Sequence, residues 1–78
     1  MSVVRVILVG LGARSRIWRS VLDENPRTRI VGMVETNSAT LAAAMEGRPG
    51  IVGGATLADV AGRVAADAVI LVTPPGNR

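Results

Sequence analysis

Two runs of the chain, "VVRVILV" at residues 3–9 and "AVILV" at residues 68–72, are rich in β-branched residues and nearly unbroken in apolar character. A strand with one face in water alternates apolar and polar side chains. A continuous run asks for burial on both faces, which a parallel sheet covered by helices provides. These two runs, more than any other feature, restrict the chain to an α/β architecture.

Between them the pattern turns helical three times. In "RSRIWRSVLDE", residues 14–24, Ile17, Trp18, Val21 and Leu22 fall at helical spacing, which reads Trp18 as core and Arg19 as an exposed helix residue. Asn25-Pro26 ends that helix, because a residue before proline avoids the helical region. "RIVGMV", residues 29–34, is a second strand ending at Glu35. Asn37 or Ser38 caps a helix over "ATLAAAME", and Gly47 is its C-terminal glycine. "IV" at 51–52 is a very short third strand. "TLADVAGRV" opens with Thr56 and Asp59, a capping box with Asp in place of Glu or Gln. Its apolar face is Leu57, Val60, Ala61 and Val64, and Gly62 weakens it. The fourth strand, 68–72, stops at Thr73-Pro74-Pro75. The order β-α-β-α-β-α-β is part of a Rossmann fold, a doubly wound parallel sheet. Residues 1–78 read as the N-terminal half of a Rossmann dinucleotide-binding domain, with no C-terminal substrate domain. If the strand order is 3-2-1-4, the fourth strand is an apolar sheet edge, through which self-association is expected.

With 78 residues the chain is a single domain at most, and below roughly 80 residues one core supplies only about 3–5 kcal/mol. There is no Cys and no His, so no disulfide and no metal site is expected, and the lack of Cys fits a cytoplasmic location. All nine cations are arginines, yet apart from Arg14, Arg16 and Arg19 they are scattered, and Trp18 is the single aromatic residue. Nucleic-acid binders cluster basic residues, and single-strand binders add aromatic platforms, so nucleic acid is not the expected partner. Arg5 and the glycines interrupt the apolar start, which lacks the basic n-region of a secretory signal. No run reaches the ~18 residues of a membrane span.

The chemistry concentrates where the first strand ends. Gly10-Leu11-Gly12-Ala13-Arg14-Ser15 follows the strand directly and opens the helix. Glu35 ends the next strand, close to the ~20-residue spacing of a dinucleotide fingerprint. Gly10 permits the tight turn, and Gly12 lets a pyrophosphate approach the backbone. The helix N-terminus offers free N–H groups, and Glu35 can accept hydrogen bonds from an adenosine ribose. Ser15 stands where the third glycine is usual, a position that needs a small residue for helix–strand packing. The same residues also suit a tight strand-to-helix corner that binds nothing. A carboxylate at Glu35 repels a 2′-phosphate and favours NAD over NADP. Arg14, Arg16, Thr36 and Asn37 blunt that preference, because a loop arginine can reach a phosphate.

Taken together, "VRVILVGLGARSR", "IVGMVETN" and "ATLADVAGRVAADAVILVTPPGNR" resemble the N-terminal domain of the glucose–fructose oxidoreductase, inositol dehydrogenase and rhizopine-catabolism (Gfo/Idh/MocA) family. The resemblance covers essentially the whole chain and implies a pyridine-nucleotide-dependent oxidoreductase acting on sugars, cyclitols or related small molecules. By position, it implies that Gly10, Gly12, Ala13, Arg14 and Ser15 form the pyrophosphate turn. Glu35 and Thr36 lie at the ribose, and Thr73, Pro74 and Pro75 border the nicotinamide half. The departures are equally specific. Arg78 stands in place of the family's histidine, and there is no lysine for the family's Glu-Lys-Pro motif. No catalytic residue is assigned, and the 78 residues alone are expected to lack dehydrogenase activity. Two other readings remain: a non-catalytic nucleotide-binding or interaction module, and an S-adenosylmethionine-dependent methyltransferase fragment. The last expects a carboxylate just before the first glycine, where the chain has Ile7-Leu8-Val9.

Overall fold

The structure is a computed structural model that describes residues 3–12 and 15–72. Four strands, β1 (Val4–Val9), β2 (Thr28–Val34), β3 (Val52–Gly54) and β4 (Ala68–Leu71), alternate with α1 (Ser15–Glu24), α2 (Ser38–Met45) and α3 (Leu57–Ala61). They form one sheet in the order β3-β2-β1-β4, and every neighbouring pair is parallel. This is the α/β arrangement that the two apolar runs require, with the central strand buried on both faces: Val6, Ile7 and Leu8 in succession are almost wholly inaccessible.

Successive residues of β1 feed two separate cores. Val6 and Leu8 pack with Leu11, Leu22, Ile30, Met33 and Ala44 beneath α1 and α2. Ile7 packs with Val34 and Val60 beneath α3. Along β2 the alternation is broken once. Val6 pairs with Ile30, but Ile7 pairs with Gly32, so Val31 is an extra residue and the strand bulges there. Ile30 and Met33 are three residues apart yet reach the same core, which a regular strand cannot do. Gly32 faces α3, and a Cβ built on it lies 2.6 Å from Val60 and 3.2 Å from Ile7. The helix sits so close to the sheet because the strand has no side chain there.

Local signals act largely as their chemistry dictates. The Asn37 side chain caps α2 by accepting from the N–H of Thr40 at 3.0 Å, and Gly47 follows the helix with φ of 75°. Thr56 caps α3 by accepting from the N–H of Asp59 at 3.1 Å. The Asp59 carboxylate does not complete a reciprocal box. It pairs with Arg63 at 2.9 Å, and Arg63 also donates to the Gly53 carbonyl, fastening α3 to β3.

Five further expectations change. The third strand is Val52–Gly54 rather than 51–52, because its partners are the last residues of β2, Gly32 to Val34. Helix α3 ends at Ala61, so Gly62 is its C-cap and not an interior weak point. β4 is not buried on both faces: α3 packs over β1, β2 and β3 but not over β4, which leaves Val69 and Leu71 exposed at the sheet edge. On α1 the apolar group at Ile17, Trp18, Val21 and Leu22 is not the buried face. Ser15 and Leu22, two turns apart, are its buried residues, while Ile17 is 71% and Trp18 45% exposed. Docking through a serine brings α1 close to the sheet and turns the bulkier residues outward. Arg19 lies on the Ser15–Leu22 stripe and is half-buried, not exposed.

Candidate functional site

In a parallel sheet all strands end on the same edge, and ligands bind beyond the carboxyl ends. Here three strand ends are tied into a rim. The N–H of Gly10 donates to the Val34 carbonyl at 2.9 Å, and the N–H of Glu35 donates to the Gly54 carbonyl at 3.0 Å. The chain leaves β1 through Gly10 at φ of 90°, a left-handed conformation that a side chain disfavours. Leu11 then inserts into the core beneath α1 and α2, anchoring the turn from below. A Cβ built on Gly12 has no atom within 4 Å, so the turn presents bare backbone to open space.

Ser15 begins α1 and is fully buried. Its N–H and its hydroxyl both donate to the Gly12 carbonyl, at 2.9 and 2.7 Å. Serine therefore fills the position of the usual third glycine without loss of packing, because its hydroxyl is satisfied inside the turn itself. The chain order strand, glycine turn, helix is held by these two bonds.

Glu35 stands beside the turn. Its Oε1 accepts from the N–H of Leu11 at 2.8 Å, and its Oε2 accepts from the N–H of Asn37 at 2.9 Å. The bonds from Asn37 and Leu11 hold the carboxyl below its ordinary pKa against a smaller opposing effect of burial. An ionised carboxylate offers about four lone-pair positions, so these two bonds leave acceptor capacity for ligand hydroxyls. Glu35 and Thr36 border a groove of about 300 Å³ with Val9, Gly10, Val34, Ala55, Thr56 and Leu57. A second groove, of about 420 Å³, runs along the other side of the turn between Gly12, Arg16, Arg19 and Thr40.

Gly10, Gly12, Ser15, Glu35 and Thr36 are thus gathered within one rim, although they are separated by a helix and a strand in sequence. Ala13, Arg14, Thr73, Pro74 and Pro75 lie outside the described residues. The direct bond from Leu11 to Glu35 is a feature that sequence reasoning missed; Leu11 carries no chemistry in its side chain and contributes through its backbone. No helix among the described residues is long and apolar enough to cross a membrane.

By sequence, the chain matches no protein-family model and none of the curated proteins. Its fold matches solved dehydrogenases. The WlbA dehydrogenase from Chromobacterium violaceum, in complex with NADH and UDP-GlcNAcA, is 33% identical with a TM-score of 0.84, over 95% of this chain and 21% of that one. The WlbA dehydrogenase from Bordetella pertussis, also in complex with NADH and UDP-GlcNAcA, is 31% identical with a TM-score of 0.82, over 95% of this chain and 23% of that one. A further dehydrogenase from Chromobacterium violaceum is 25% identical with a TM-score of 0.81, over 96% of this chain and 22% of that one. The chain therefore spans about a fifth of the length of the dehydrogenases it resembles.

Proposed function

We propose that the chain is the pyrophosphate- and ribose-binding portion of an NAD-dependent oxidoreductase acting on sugars, cyclitols or related small molecules, of the Gfo/Idh/MocA type. The observation that carries this reading is the bond from Leu11 to Glu35, which holds a ribose-type carboxylate against a turn whose Gly12 faces open space. The two neighbours crystallised with NADH support the choice of nucleotide, and their complexes with UDP-GlcNAcA support a sugar-type substrate.

The residues present fit such a nucleotide. Gly12 leaves room for a pyrophosphate to lie against backbone, and the start of α1 at Ser15 supplies the positive end of a helix dipole. Glu35 offers its remaining lone pairs to the ribose hydroxyls and, being ionised, repels a 2′-phosphate. NAD, when bound, supplies a nicotinamide ring that exchanges hydride with a substrate. The chain's own part is to bind and orient the adenosine half. We assign it no proton transfer, because hydride exchange needs an acid or base within hydrogen-bond reach of the substrate, and no residue here is marked for that role.

Calorimetric titration with NAD and NADP, alongside melting temperature, tests the reading. A ligand that binds only the folded chain raises its stability by RT ln(1 + [L]/Kd). Saturable binding of NAD, stronger than NADP and abolished by Gly12→Val in a chain that still melts cooperatively, is the expected result. A folded chain that binds neither nucleotide reduces the turn to a strand-to-helix corner.

A further inference from the structure

Arg19 occupies an odd place. It lies between Ser15 and Leu22 on the stripe of α1 that faces the sheet, where an amphipathic helix normally carries an apolar residue. Its Nε is shielded from water and has no hydrogen-bond partner among the described residues. The three ion pairs among those residues join Arg5 to Asp67, Arg48 to Asp23 and Arg63 to Asp59, and none includes Arg19. Asp23 makes no hydrogen bond to it; its two carboxylate oxygens accept from Arg48, at 3.0 and 2.6 Å.

The surroundings add positive charge. Arg16, Arg19 and Arg48 border one cleft of about 510 Å³ between α1 and the turn after α2. Burial, and then repulsion from Arg48 and Arg16, disfavour the charged form of Arg19, and Asp23 offsets this only in part. An arginine does not give up its proton under such pressure, so the natural remedy is an anion. Glu24, the other carboxylate at the cleft, accepts from the Ser20 hydroxyl at 3.4 Å. Arg16 and Arg19 also border the groove that reaches Gly12.

We propose that Arg16 and Arg19, with Arg48 on the opposite wall, form an oxyanion site between α1 and α2 that takes a phosphate group. Guanidinium groups suit this ligand because their planar forks donate in pairs to phosphate oxygens. The site is distinct from the pyrophosphate turn and stands whether or not that turn binds NAD. Its phosphate can come from free inorganic phosphate or from the 2′-phosphate of a dinucleotide lying in the adjoining groove.

Inorganic phosphate titrated into the chain, with chloride at matched ionic strength as control, tests the site by calorimetry and melting temperature. Arg19→Gln and Arg16→Gln are the variants; Arg16 is exposed, so its replacement keeps the fold even if that of Arg19 does not. Saturable phosphate binding, weakened about tenfold or more in each folded variant as expected for a lost charge-assisted hydrogen bond, supports a free-phosphate site. If the variants weaken NADP while leaving NAD unchanged, the same site is supported with the nucleotide as its source. Equal responses to phosphate and chloride, together with NADP binding indifferent to both variants, overturn the proposal.

Discussion

The Glu35 carboxylate accepts a 2.8 Å hydrogen bond from the backbone N–H of Leu11, so the end of β2 holds the turn that follows β1. One side chain thereby serves both the integrity of the rim and the recognition assigned to it. The backbone bonds from Asn37 and Leu11 favour the ionised form and depress its pKa. A depressed carboxyl contributes stability above its unfolded pKa, and that contribution is lost as pH falls through the folded value. Asp23 and Asp67, each lowered first by a hydrogen bond from its arginine, act in the same direction. The urea midpoint is therefore expected to fall as the pH drops below about 4.3, the ordinary Glu value. Glu35→Gln, which keeps one acceptor oxygen instead of two, is expected to cost about 1 kcal/mol at neutral pH and to show a shallower acid decline.

The two glycines of the turn should separate cleanly. Gly10→Ala places a side chain at φ of 90° and is expected to destabilise by about 1–2 kcal/mol. Gly12→Ala meets open space outside the left-handed region and should leave stability unchanged while weakening nucleotide binding. Chemical denaturation paired with calorimetry reads both effects; equal loss of stability in the two variants contradicts this division of labour.

Gly32→Ala is expected to destabilise by about 1–3 kcal/mol, the usual range for overpacking a filled core. The added methyl is 2.6 Å from Val60, a stiff and fully buried side chain on α3. Val60→Ala in the same chain should recover part of the loss, and a double-mutant cycle measures that coupling.

On α1 the buried and exposed apolar residues make opposite predictions. Leu22→Ala is expected to cost about 2–4 kcal/mol, whereas Ile17→Ser should stay within about 0.5 kcal/mol of the parent. Thermal melts of the two variants suffice to check this.

Much of the architecture was legible in the residues because its causes are local. Unbroken apolar runs give buried strands, Asn37 and Thr56 carry their own capping oxygens, and Gly10 marks a backbone turn. The direction in which α1 faces was not legible. Its spacing identified a helix with Ile17, Trp18, Val21 and Leu22 grouped together, but close docking through a buried serine set the rotation. The one-sided burial of β4 likewise depends on where α3 comes to rest, which is tertiary information. At the site, the residue types announced Gly12 and Glu35. The bond between Leu11 and Glu35 was hidden because a backbone donor leaves no mark in the sequence.

The extra residue at Val31 acts on the site from a distance. Beyond it every side chain of β2 changes sides, so Met33 enters the core that also holds Leu11, and Val34 joins Ile7 and Val60 beneath α3. Were Val31 drawn into the ladder opposite Ile7, Gly32 would fall opposite Leu8, Met33 would pass to the α3 side, and the end of β2 would miss its present partners at the rim. The seating of the rim is thus decided upstream, by a skipped beat at Val31.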